Sequence, residues 1–201
     1  MATKTASTQH KEVLITGFGG QGIVLAGQIL GKAASLVDRK ESTLTQSYGP
    51  EARGGACSAQ VIISQSTIHY PYVRIPHIVL CLSQGGYDKY ANSVRSDGML
   101  IVDQDLVRIS EGSDRTLYRV PATRIAEELG RKMMANIVML GFLSAVSDVV
   151  TKDALHATVV KSVPKGTEEL NSTAFHKGYD YGAAILKGIE KKAAGKKGAK
   201  S

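Results

Sequence analysis

Apolar and polar positions along this chain follow two regimes. Up to about residue 130, apolar runs of strand length alternate with helical spacings and glycine-rich or polar breaks. "EVLITG" (12–17) is a short apolar run that ends in glycine, the pattern of a buried strand. "GIVLAGQILGKAASLV" (22–37) follows, with Ala26, Ile29, Leu30, Ala33 and Val37 at helical spacing and small residues that suit close packing on a sheet. "STLTQS" (42–47) and "ACSAQVIIS" (56–64) read as strands on either side of a loop rich in glycine and proline. "QSTIHYPYV" (65–73) reads as a short return, which predicts a hairpin formed by 56–64 and 65–73. "HIVLCLS" (77–83), "GMLIVDQD" (98–105) and "RTLYRVP" (115–121) predict further strands, with short helices over 85–94 and 122–130.

From residue 132 the chain turns helical. "MMANIVMLGFLSAVS" (133–147) is apolar nearly all round but shorter than the roughly 20 apolar residues of a membrane span. It predicts a helix buried in the core or against a partner chain. Thr151 is placed to cap "KDALHATVVKSV", and Thr167 to cap a long last helix that starts "EELNSTAFHKGYDYGAAILKGI". Early alternation and late helix clustering predict an α/β fold. It is a single three-layer domain with a mostly parallel sheet, a β-hairpin insertion and a helical C-terminal third. The expected organisation is a flexible N-terminus over 1–10, the domain over 11–190 and a lysine-rich disordered tail over 191–201.

Composition sharpens this picture in three places. The 201 residues suffice for one domain with a full core. The net charge of +7 hints at nucleic acid, but six lysines and one glutamate fall in the last fifteen residues, so the body is close to neutral. No nucleic-acid motif accompanies the tail, and neither nucleic acid nor membrane is an expected partner. The opening "MATKTASTQHKE" has no apolar signal-peptide core, and two lone cysteines, Cys57 and Cys81, suit a reducing cytoplasm.

Two glycine-rich stretches are the candidates for chemistry. "GFGGQG" (17–22) fits the G-x-G-x-x-G template at Gly17, Gly19 and Gly22, with Gly20 and Gln21 between them, after a strand and before a helix. Backbone amides there can approach a phosphate or a partner chain, and the helix start adds partial positive charge. A dinucleotide site also wants an acid ending the next strand, and "TQSYG" has none. "SYGPEARGG" holds Ser47, Tyr48, Gly49, Pro50, Glu51, Arg53, Gly54 and Gly55. Arg53 offers a planar fork for a carboxylate or phosphate, which Glu51 can orient. The competing reading is a structural turn whose Glu51 and Arg53 form a surface ion pair. Both loops are expected at the carboxyl ends of parallel strands, where such sheets bind ligands. Two cysteines cannot hold a four-cysteine iron–sulfur cluster, the five histidines lack metal-ligand spacing, and no G-x-S-x-G elbow occurs.

"GFGGQGIVLAGQILGKAA" and "QSYGPEARGGACSAQVIIS" together resemble the gamma subunit of 2-oxoacid:ferredoxin oxidoreductases. "YPYVRIPHIVLCLSQGGYDKY", "ANIVMLG" and "NSTAFHKGYDYG" extend the likeness over roughly residues 11–185. The form "SYGPEARGG" is most similar to the 2-oxoglutarate branch. The chain departs at His77, where the family commonly carries aspartate. The resemblance implies a subunit that is not catalytic alone, working with alpha and beta subunits, and a delta subunit where the enzyme has one. Partner chains would hold thiamine diphosphate, Mg²⁺ and iron–sulfur clusters, and ferredoxin would take the electrons. Coenzyme A would be a substrate bordered by the two glycine-rich loops of this chain. The alternatives are a stand-alone dinucleotide- or CoA-binding module, and a scaffold without ligand contact.

Overall fold

A computed structural model describes residues 10–48, 56–109 and 116–198. Its backbone is a six-stranded sheet built from β1 (Lys11–Phe18), β2 (Glu41–Tyr48), β3 (Ala56–Ser64), β4 (Ile78–Cys81), β5 (Met99–Asp103) and β6 (Thr116–Val120), in the order β2-β3-β1-β4-β5-β6. β1, β4, β5 and β6 pair in parallel, whereas β3 is antiparallel to both β1 and β2. The β-branched and leucine-rich runs form strands because both faces of the central strands are covered; all four residues of β4 are buried.

The hairpin is therefore β2 with β3, in register from Glu41 opposite Ser64 to Tyr48 opposite Cys57. The return expected over 65–73 is not a strand. Pro71 and Pro76 withhold amide donors, and the carboxylate of Glu12 takes the amides of Arg74 and Ile75 instead.

Helices α1 (Ile23–Lys32), α2 (Gln84–Tyr90), α3 (Ala122–Glu128), α4 (Ala135–Val146), α5 (Lys152–Ser162) and α6 (Glu168–Gly198) complete the domain. A π-helical turn, Ala33–Val37, prolongs α1. α2 and the 3₁₀ turn after it cover Leu14, Val79, Cys81, Leu100 and Val102 on one face. The larger core on the other face joins Val13, Ile15, Leu80 and Ile101 to residues of α1, α3, α4, α5 and α6. Thr151 caps α5 by accepting the Ala154 amide at 3.3 Å, as its position predicts.

α4 resolves the ambiguity of the apolar run. Every residue from Met134 to Ser144 is buried, and α6 lies along it, so the run is this domain's own core and not a partner face. Phe142 is fully buried between Tyr118 and Tyr181, a burial worth about 1.5–3 kcal/mol. α6 continues as helix to Gly198, where a disordered tail is expected from 191, because alanine and lysine both favour helix. Among the described residues no helix is long and apolar enough to cross a membrane.

Candidate functional site

The carboxyl ends of β1, β4, β5 and β6 lie at one end of the sheet, and the glycine-rich turn is built there. Phe18 ends β1, and its amide donates to Oε1 of Gln21 at 2.6 Å. Nε2 of the same glutamine donates to the Leu82 carbonyl, just past β4, at 2.8 Å. Gln21 thereby ties the turn to the neighbouring parallel strand, and its own amide closes the turn on the Phe18 carbonyl at 3.2 Å. Gly20 (φ 96°) and Gly22 (φ 68°) occupy left-handed conformations that side chains resist. Gly17 is buried, and Gly19 and Gly20 are exposed.

Gly22 precedes α1, whose first turn has neither a side-chain cap nor an acidic residue. The positive end of α1 is thus left open to an anionic group. The Gly22 carbonyl accepts from Nδ2 of Asn136 at 3.0 Å, which locks the turn to α4. A largely apolar groove of about 340 Å³ opens beside it, lined by Gly22, Leu25, Met133 and Ile137 as well as by Arg131 and Lys132.

The sheet register places the strand ends that flank the second stretch beside the first. Phe18 pairs with Ala56 and Gly17 with Cys57, while Tyr48 pairs with Cys57 from the other side. The described ends that flank residues 49–55, Tyr48 of β2 and Ala56 of β3, thus lie next to the glycine-rich turn, and the two strands they belong to are antiparallel. Gly49, Pro50, Glu51, Arg53, Gly54 and Gly55 themselves lie outside the described residues. Ser47 is exposed near the end of β2, and Tyr48 is that strand's last residue.

The same sheet end carries groups that no motif announces. A depression of about 760 Å³ is lined by Gln84, Gln104, Asp105 and Arg108, among others. Gln84 accepts the Arg108 amide at 2.8 Å and donates to Asp88 at 2.8 Å. Asp103, fully buried at the end of β5, accepts from the amide and hydroxyl of Thr123 at 2.9 and 2.7 Å and from the Asp105 amide at 3.0 Å. Burial raises its pKa and these bonds only partly oppose it, so Asp103 pins α3 to the sheet. Cys57 and Cys81 are both buried; burial raises the Cys57 thiol pKa and pushes that of Cys81 up to about 12.

Of the two strands beside β1, β3 starts at this end of the sheet and β4 ends there in Cys81, followed by Leu82, Ser83 and Gln84, so no acid stands where a dinucleotide ribose would need one. What the geometry defines is an α/β domain whose glycine-rich turn lies beside Tyr48 and Ala56, the strand ends that flank the second glycine-rich stretch.

The chain matches the family model for pyruvate ferredoxin/flavodoxin oxidoreductase over residues 12–181. It is 51% identical to the 2-oxoglutarate synthase subunit KorC of Methanocaldococcus jannaschii over 174 residues, which cover 85% of this chain and 93% of that one. The keto/oxoacid ferredoxin oxidoreductase gamma subunit of Geobacter sulfurreducens superposes with a TM-score of 0.77 at 38% identity, covering 87% of this chain and 99% of that one. The 2-oxoglutarate:ferredoxin oxidoreductase of Magnetococcus marinus, solved with 2-oxoglutarate, coenzyme A and succinyl-CoA bound, gives a TM-score of 0.78 over 87% of this chain and 31% of that one. At 19% identity that likeness is one of fold. The chain belongs to the pyruvate ferredoxin/flavodoxin oxidoreductase family. Within it, the chain is a gamma-type subunit of a 2-oxoacid:ferredoxin oxidoreductase, most similar to the 2-oxoglutarate type.

Proposed function

We propose that this chain is the gamma subunit of a cytoplasmic 2-oxoglutarate:ferredoxin oxidoreductase and that it borders the coenzyme A side of the active site. The carrying observation is the register that sets the glycine-rich turn beside Tyr48 and Ala56, the anchors of the loop that holds Arg53. An uncapped helix start next to a loop with one arginine suits the anionic groups of coenzyme A. In this reading alpha and beta subunits carry thiamine diphosphate, Mg²⁺ and the iron–sulfur clusters, and ferredoxin receives the electrons. Thiamine chemistry supplies the decarboxylation; this chain supplies positioning and excludes water from one side of the site.

The test is a comparison of the purified chain with the assembled complex. Each is given 2-oxoglutarate, thiamine diphosphate, Mg²⁺, coenzyme A and a viologen dye without oxygen. Only the complex is expected to turn over. Turnover by the chain alone, free of clusters and of other subunits, would overturn the subunit reading. A complex that works on pyruvate but not on 2-oxoglutarate would overturn the substrate assignment.

A further inference from the structure

Eight large apolar side chains are strongly exposed among the described residues, and three of them fall within six positions. These are Tyr70 (56% exposed), Tyr72 (55%) and Ile75 (59%). They belong to the irregular segment between β3 and β4, which is held at fixed points. Oε2 of Glu12 accepts the amides of Arg74 and Ile75 at 2.9 Å each. Arg95 donates its amide to the Pro76 carbonyl at 3.0 Å, and Thr43 its hydroxyl to the Pro71 carbonyl at 3.3 Å. The two tyrosine rings lie 5.5 Å apart, and the Arg74 guanidinium stands 5.8 Å from the Tyr70 ring. Beside them a groove of about 360 Å³ is lined by both tyrosines and by Ile62.

Tyrosine and arginine are enriched at the hot spots of protein interfaces, and tyrosine on a pinned backbone loses little freedom on docking. The charge of the surface selects the partner. His10, His69 and Arg74 line the groove, and its carboxylate, Glu12, is occupied by His10 at 3.2 Å and by the two amides. A second copy related by a twofold axis would bring Arg74 of this surface against its own counterpart. An acidic surface complements it. The segment is anchored near Glu12, at the opposite end of β1 from the glycine-rich turn, so it is separate from the proposed coenzyme A side.

We propose that the Tyr70–Ile75 surface docks onto an acidic surface of another subunit of the same enzyme, with an apolar side chain of that subunit entering the groove between the tyrosines and Ile62. The proposal rests on the subunit reading above. It is tested by hydroxyl-radical footprinting of the free chain and of the assembled complex. Tyr70 and Tyr72 should react freely in the chain alone and lose at least about tenfold in the complex. Replacing both (Tyr70→Ala, Tyr72→Ala) together with Arg74→Gln should weaken retention in the complex about tenfold or more, while the melting temperature of the free chain stays close to wild type. Both tyrosines as reactive in an intact complex as in the free chain would overturn the proposal and leave the subunit reading standing. Protection that grows with the concentration of the free chain would assign the surface to a second copy and overturn it too. If no complex forms with the wild-type chain, the subunit reading fails and takes the proposal with it.

Discussion

Asn136 and Gly22 meet where α4 touches the turn that opens α1. Nδ2 of Asn136 donates to the Gly22 carbonyl at 3.0 Å, and a β-carbon on Gly22 would lie 2.3 Å from that same nitrogen. Two penalties coincide there. A side chain at φ 68° costs about 1–2 kcal/mol, and pushing aside a nearly buried carboxamide costs about 1–3 kcal/mol more. Gly22→Ala should therefore lower the melting temperature by roughly 5–15 °C, and Gly22→Val by more. Adding Asn136→Ala to Gly22→Ala should cost less than the sum of the two single changes, because the clash is then gone. Thermal melts of the three variants measure this. An alanine variant that melts like wild type would show that the turn tolerates rearrangement.

The crossing of α4 and α6 gives a sharper contrast on one helix. A β-carbon on Gly178 would lie 2.0 Å from the Val138 carbonyl oxygen, and one on Gly141 would lie 2.0 Å from that of Phe175. Both obstacles are backbone and cannot rotate away. Gly178→Ala should destabilise by about 3 kcal/mol or more. Gly188→Ala, on the same α6 with nothing within 4 Å of its added carbon, should stabilise by up to about 1 kcal/mol. Denaturant titrations that gave both changes the same sign would contradict this packing.

How much of this was legible in the sequence follows from whether the cause is local. "EVLITG" and "IVLC" read as strands because burial of both faces leaves an unbroken apolar run. Thr151 read as a cap because its partner amide is three residues away. The tie from Gln21 to Leu82 spans 61 positions and leaves no local trace. Tyr70 and Tyr72 mimic the alternation of a strand, yet the partner of β3 is decided by β2, and Glu12 claims the amides that a ladder would use. An all-round apolar helix cannot say whether its cover is its own chain; only the close approach at Gly141 and Gly178 decides for α6. The glycine-rich turn was legible as a motif, but Arg108 and Gln84 at the same sheet end belong to no spacing rule.

Acid should loosen the fold through two histidines. Nδ1 of His77 accepts the Glu12 amide at 3.1 Å, and its Nε2 lies 3.2 Å from an Arg95 nitrogen. Burial first, and Arg95 second, lower its pKa, while Glu12 opposes them. His156, its ring centroid 4.6 Å from that of His176, is lowered by burial and then by that neighbour and Lys152, against Asp153. The unfolded chain titrates histidine near about 6.5 and so binds protons that the folded chain refuses. The stability these groups contribute is present above that value and is lost as pH falls through it toward the lowered folded values. The melting temperature should drop between about pH 7.5 and about pH 5.5, and His77→Asn, which keeps an acceptor for the Glu12 amide, should shrink the drop. An unchanged drop in that variant would remove His77 from the account.

Arg53→Ala should weaken the coenzyme A half of the reaction more than the 2-oxoacid half. Residues 49–55 join β2 to β3, and their anchors pair beside the glycine-rich turn and the open start of α1. A loop there with one fork-shaped cation is suited to a ligand anion, and a charge-assisted contact of that kind is worth about 1.5–3 kcal/mol, or roughly ten- to a hundredfold. Arg53→Lys should rescue only in part, since an ammonium lacks the planar bidentate geometry. The measurement uses assembled complex without oxygen. Mixing with 2-oxoglutarate alone reports cluster reduction; adding coenzyme A then reports its acceleration and the acyl-CoA yield. The first phase should survive, and the second should weaken by that factor. Loss of the first phase with an intact coenzyme A response would move Arg53 to the 2-oxoacid carboxylate or the thiamine site. If neither phase changes in a complex that assembles normally, the loop is a structural connection, and the coenzyme A side must be sought along the other residues of this sheet end.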